Sequence, residues 1–318
     1  MFHEYIFNLS RFLENMTIRF VTDSTSDLPW DYAKKNKVEI VSLYIMIHGE
    51  SHLEDENFDK ESYYKLFEEE HAFLHIPQLK LFSFVPQTSQ PNPGDFIKAY
   101  EKQVEEGATE IIVVNVTEGL SGTINSSSLA AKQFQKKNKD VTIHIVDAKS
   151  ASYPEVFLIR MGLNLVKKGY EAEQIAKILR EQALKIKTII LLPTLRYLWK
   201  GGRLRIYKYA LGSLLKKKPI VTMNPEGNVE TAGSATTVEE GFHESLRLNT
   251  EDFTKNPKAF TIVYGSRNDY AERMAEIVLE KYPKMEVEIA QSGGSVLSHL
   301  GPESIGVIGD YTDDEYWE

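Results

Sequence analysis

From Thr17 onward, short β-branched runs alternate with segments of helical spacing. TIRFVTD (Thr17–Asp23) reads as a strand, followed by the turn-rich STSDLP and a helix over Trp30–Lys35. VEIVSLYIMI (Val38–Ile47) is long and β-branched, which predicts a single central strand. Helices are expected over Phe58–His71 and over Pro93–Gly107, the latter opened by Pro and closed by Gly. LKLFSFV (Leu79–Val85) and EIIVVNV (Glu110–Val116) read as strands, Ser121–Lys136 as a helix and VTIHIVD (Val141–Asp147) as another strand. Strands separated by helices of about 10–15 residues predict a mostly parallel sheet with helices on both faces.

The second half has a different texture. Helices over Tyr153–Lys168 and Glu171–Lys185 precede a strand at Lys187–Pro193. KKPIVTM and NVETAG then predict a hairpin across Asn224-Pro225-Glu226-Gly227. A helix at Val238–Leu248, strand AFTIVYG, helix Tyr270–Tyr282 and strand MEVEIAQ follow, which is an α+β layer pattern. The 318 residues, at about 150 per domain, agree with two domains. We expect an α/β domain over 17–165 and an α+β domain over 166–318, after an extension over 1–16. Phe2, Tyr5, Ile6, Leu9, Phe12, Leu13 and Met16 make one helical stripe in that extension. With no basic n-region it does not read as a secretory signal, and it is expected to pack on the body or to precede a start at Met16.

Composition narrows the function. The formal net charge of −9 argues against nucleic acid as a partner, because phosphate binding needs clustered Lys and Arg. Cysteine is absent, which excludes disulfides, thiolate zinc, iron–sulfur clusters and a cysteine nucleophile, and fits a cytoplasmic location. No apolar run reaches about 18 residues, so no membrane span is expected.

Four segments offer chemistry. In VPQTSQPNPGDF (Val85–Phe96), Thr88, Ser89 and Gln90 follow a predicted strand, and Pro91 and Pro93 stiffen the chain into a helix start. Such hydroxyls stand where an open α/β sheet meets a ligand, and they also suit a helix cap. EGLSGTINSSS (Glu118–Ser128) repeats the arrangement, with Ser121, Gly122 and Thr123 opening a helix whose start favours an anion. It is not a P-loop, a dinucleotide loop or a nucleophile elbow. LWKGGRLR (Leu198–Arg205) sets two glycines before Arg203 and Arg205, suited either to forking onto a carboxylate or to ending a helix with basic residues. SGGSVLSHLGPESIGVIG (Ser292–Gly309) places His299 on a Gly/Ser-rich loop before a final strand.

Together these segments resemble the DegV family of bacterial fatty-acid-binding proteins. The likeness begins at RFVTDSTSDLP (Arg19–Pro29), continues through TSQPNPGDF, GLSGT and KGGR, and ends at SHLGP, spanning Thr17 to Gly309. It implies a parallel-sheet, Rossmann-like N-terminal domain plus a two-layer α+β C-terminal domain, with one long-chain fatty acid between them and no other cofactor. By matching position, Thr88 and Ser121 would hold the carboxylate, with Ser89, Gly122 and Thr123 beside them and Arg203 and His299 in support. A buried carboxylate needs such donors, or a cation, to offset its desolvation. Val38–Ile47, Leu191–Leu198 and Ile262–Tyr264 are candidate walls for the acyl tail. The resemblance also implies a fatty acid kinase as partner, although Gly233–Thr237 lacks the basic residues that kinase-delivering members carry after the hairpin. Other departures are Asn92 for Ser, Ala148 after Asp147, Tyr153-Pro154-Glu155 for a Gly-rich stretch, and Glu303 for Gly. An inward-pointing Glu303 would oppose a bound carboxylate.

Two alternatives come from the residues themselves. An acyl hydrolase would use Ser121 or Ser292 with His299 as base and Glu303 or Asp310 as the orienting acid. A metal site would use His71 and His75 with Glu68 one turn earlier, but no second cluster completes a shell, so no metal is expected.

Overall fold

In this computed structural model, residues 17–73, 85–204 and 217–317 are described, with the backbone alone over 68–73. The N-terminal stripe, positions 79–84 of the expected strand at Leu79–Val85, His75, Arg205 and the side chains of Glu68 and His71 lie outside the described residues.

The first sheet contains β1 (Ile18–Asp23), β2 (Val38–Val41), β6 (Glu110–Asn115) and β7 (Thr142–Asp147) in the order β2-β1-β6-β7, all parallel. Side chains alternate between faces along a strand. On β6, Ile111 and Val113 therefore join Phe96 and Tyr100 of α3 (Pro93–Glu105) and Phe134 of α4 (Thr123–Lys137). Ile112 and Val114 point the other way, to Phe157 and Met161 of α5 (Tyr153–Lys167) and Leu179 of α6 (Ala172–Gln182). Helices cover both faces, as the apolar runs predict. Asn92 caps α3 through a capping box with Asp95, so Thr88 and Ser89 are not the cap.

Val38–Ile47 is not one central strand. β2 is an edge strand, and β3 (Tyr44–Ile47) belongs to a separate antiparallel sheet, β4-β3-β5, with β4 (Glu50–Leu53) and β5 (Gln87–Ser89). The break at Leu43 is tertiary in origin. Its N–H donates to Ser24 Oγ (2.9 Å) and its carbonyl accepts from Glu54 N (2.9 Å), which takes the chain out of the parallel ladder. Thr88 and Ser89 thus lie on a short strand rather than on a loop.

The six-stranded mixed sheet runs β10-β9-β8-β13-β11-β12. Its strands are β8 (Ile186–Leu191), β9 (Lys218–Met223), β10 (Val229–Ala235), β11 (Ala259–Tyr264), β12 (Glu286–Gln291) and β13 (Ile305–Asp310). β9 and β10 form the expected hairpin. Ile189, Ile262 and Val307 pack on Phe242 and Leu246 of α8 (Val238–Thr250) and Met274 and Val278 of α9 (Asn268–Lys281). The alternate positions, Thr188, Ile190, Gly306 and Ile308, face a cavity on the other side.

Two short helices complete the site. α7 (Arg196–Lys200) ends at Gly201, and α10 (Gly294–Leu300) carries His299, so His299 stands on a helix rather than on the expected loop. Where the hairpin turn meets the loop before Ser121 there is no room for a side chain. A Cβ on Gly119 would lie 2.2 Å from Gly227 O, and one on Gly227 1.9 Å from Thr117 Oγ1. Among the described residues no helix is long and apolar enough to cross a membrane.

Candidate functional site

Between the two large sheets lies a cleft with about 890 Å³ of empty space, counting its open mouth. Leu43, Leu198 and Val263 supply one wall residue from each candidate tail segment or its edge, and Leu120, Met223 and Val296 add to the apolar lining. The polar end gathers Thr88, Ser121, Arg203 and His299 from four separate elements.

At that end Thr88 Oγ1 and His299 Nε2 are 2.8 Å apart. Among the described residues the buried Nδ1 of His299 has no hydrogen-bond partner. Burial, with the Arg203 cation nearby, lowers the imidazole to about 3, so the ring is neutral at physiological pH. Gly201 makes this packing possible, because a Cβ there would lie 2.3 Å from His299 Nδ1. Gly202, at φ +75°, supplies the left-handed turn that follows. Arg203 donates from Nε to Leu120 O at 3.1 Å and from a terminal nitrogen to Gly201 O, tying the two glycine loops together. Burial lowers its pKa. Ser121 Oγ is 2.8 Å from Thr123 Oγ1.

Not every expected residue reaches the cavity. Ser89 is exposed, because its neighbour Thr88 occupies the inward face of β5. Thr123 is fully buried and supports Ser121. Gly122 is occupied by Gln90, whose Oε1 would lie 2.1 Å from a Cβ there. Glu303 faces Arg267 at 3.9 Å rather than the cavity, and Asp310 accepts from Thr312. Ser292 lines the cavity, but its Oγ is directed at Asp27 Oδ2 (3.5 Å) and at Gly293 O. Sequence reading missed the polar wall of Thr25, Ser150, Thr188 and Ser295. Thr25 lies in the RFVTDSTSDLP segment, and that was the available signal.

The family model described as "Uncharacterised protein, DegV family" matches residues 17–310. The chain belongs to the DegV family. A DegV domain-containing protein of Staphylococcus aureus (strain N315) is 28% identical over 290 residues, covering 91% of this chain and 96% of the relative. The solved structure of a DegV family protein from Thermus thermophilus, described by its fatty acid binding, superposes with a TM-score of 0.80 at 27% identity. It covers 93% of this chain and 100% of that one. The Streptococcus pneumoniae Fatty Acid Kinase (Fak) B3 protein, loaded with linoleic acid, shares the fold, with a TM-score of 0.76 at 19% identity over 93% of this chain and 100% of that one.

Proposed function

We propose that this DegV protein is a cytoplasmic carrier that binds one long-chain fatty acid, its carboxylate at Thr88 and Ser121 and its tail in the apolar cleft. The observation that carries this is the meeting of Thr88, Ser121, Arg203 and His299 at one end of a cavity that Leu43, Leu120, Leu198, Met223 and Val263 also line. It is supported by the fatty acid binding described for the T. thermophilus relative. With Nδ1 buried and unpartnered among the described residues, the His299 proton belongs on Nε2, since a buried N–H without an acceptor is the costlier state. Nε2–H then donates to Thr88 Oγ1, which leaves the Thr88 hydroxyl hydrogen for the ligand. The neutral ring brings no charge, so Arg203 offsets the carboxylate's charge and Ser121 supplies a second donor. Each methylene removed from water then adds about 0.8 kcal/mol.

The geometry favours a carrier over an acyl hydrolase. His299 Nε2 is engaged with Thr88, Ser121 with Thr123 and Ser292 with Asp27. An imidazole lowered to about 3 is a poor general base at neutral pH. Two proposals go with the carrier reading. One is a fatty acid kinase as the acceptor of the bound acid. The other is the division into domains at 17–165 and 166–318, although α6 packs on the first sheet. The test is denaturing organic extraction of the purified protein followed by mass spectrometry, repeated on Ser121→Ala. A stoichiometric fatty acid in the wild type and a depleted one in the folded variant are expected. An empty wild-type extract, together with no uptake of added palmitate, overturns the reading.

A further inference from the structure

Thr25 is the residue of the RFVTDSTSDLP segment that lines the cavity, yet with Glu54 the segment also reaches across to the other half of the molecule. Asp27 Oδ1 accepts from Gly293 N at 2.7 Å, and Asp27 Oδ2 accepts from the Ser152 hydroxyl. Glu54 Oε1 accepts from Ser295 N at 2.9 Å while its Oε2 accepts from Ser24 Oγ at 2.7 Å. Two carboxyl groups of the first half thus cap the first turn of α10, which belongs to the second half. A helix start leaves its first N–H groups without internal partners and favours acceptors of negative charge.

The chain at this seam is built for close approach. A Cβ on Gly293 would lie 2.6 Å from Asp27 Oδ1 and 2.9 Å from Glu54 Oε1. One on Gly294 would lie 2.7 Å from Ile45 Cδ1 and 2.9 Å from Phe58. Further along, Tyr63 OH meets Ser298 Oγ at 2.6 Å, and Tyr64 OH donates to Ser292 O. Seven residues are too few to hold a helix by themselves, so these contacts decide where α10 lies. His299 stands five residues beyond Gly294, about 7.5 Å along the axis from the capped turn.

We propose that Asp27 and Glu54 are positioning residues for the headgroup pocket, holding the first turn of α10 so that His299 meets Thr88. The proposal rests on the fatty-acid reading. Lys60 faces both carboxyls, and burial outweighs it, raising Asp27 to about 7 and Glu54 upward. An amide of the same shape therefore stands in for a protonation state that Asp27 already visits.

The experiment compares dodecanoic acid with 1-dodecanol, which share a tail and differ in the headgroup, by displacement of dansyl-labelled undecanoic acid. Asp27→Ala and Glu54→Ala are expected to lose about tenfold in affinity for the acid and less than about threefold for the alcohol. Asp27→Asn and Glu54→Gln keep an oxygen acceptor and should stay within about threefold of the wild type for both ligands. Gly293→Ala, at an ordinary negative φ of −75°, should behave like the alanine variants because its Cβ pushes the carboxyls away. Equal losses for acid and alcohol, or no loss in any variant, overturn the proposal. If the alanine variants fail to fold, the Gly293→Ala result decides. A wild type that binds acid and alcohol equally refutes the headgroup reading itself, a result distinct from failure of the variants.

Discussion

Gly201 and Gly202 are adjacent, yet the structure demands different outcomes from the same substitution. Gly201 lies at φ −72° and ψ −8°, ordinary helical backbone that alanine adopts freely. Its added Cβ would stand 2.3 Å from His299 Nδ1 and 2.9 Å from both His299 Cε1 and Tyr197 O. Ordinary contact needs about another ångström, and the imidazole is the group able to give way. A shift of that size stretches the 2.8 Å Thr88–His299 contact beyond hydrogen-bonding range. Loss of that bond, with its buried partner unsatisfied, costs about 1–3 kcal/mol. Gly201→Ala should therefore lose about 1–3 kcal/mol of stability and also bind fatty acid about 5- to 100-fold more weakly. Gly202 has φ +75° and, among the described residues, nothing within 4 Å of where its Cβ would stand. Gly202→Ala should lose about 1–2 kcal/mol of stability to left-handed strain and keep its affinity. Probe displacement and thermal melts on the two variants read both quantities. Wild-type affinity in Gly201→Ala, or weakened binding confined to Gly202→Ala, refutes the reasoning.

Two further outcomes are expected. Arg203→Lys keeps the charge but a single ammonium does not span Leu120 O and Gly201 O as the guanidinium does, so acid binding should weaken about tenfold in the displacement assay. The His299 imidazole stays neutral in the folded protein down to about 3, whereas the unfolded chain takes up that proton below about 6.5. Folded stability contributed by this group is thus intact above about pH 6.5 and lost as pH falls toward 3. Relative to His299→Gln, the wild type should lose about 1.4 kcal/mol per pH unit between about pH 6 and 4, measured by chemical denaturation. A flat difference between the two proteins removes the case for a buried neutral ring.

The layered architecture was legible because its signals are local. The continuous apolar run Ile111–Val114 of a strand buried on both faces and the Pro93 start with Gly107 at φ +96° are written into consecutive residues. The errors fall where a distant partner decides. Val38–Ile47 reads as one strand by propensity, but Ser24 and Glu54 bend it at Leu43 through hydrogen bonds that no window of sequence contains. Gly294–Leu300 is poor in helix formers and folds as a helix because two carboxyls from the other half cap it. At the candidate site each of the four motifs supplies a residue that lines the cavity, Thr88, Ser121, Arg203 and His299. They did not reveal that β5 turns Ser89 outward while Thr88 faces in, since strand register depends on the pairing of Ile45 with Thr88.

The contact between Gly119 and Gly227 fixes how the hairpin seats on the loop that leads to Ser121. Backbone touches backbone there, and each position excludes even one methyl group. The tip of the β9–β10 hairpin is thus keyed to the loop before Ser121, and an alanine at either glycine would have to push the two apart.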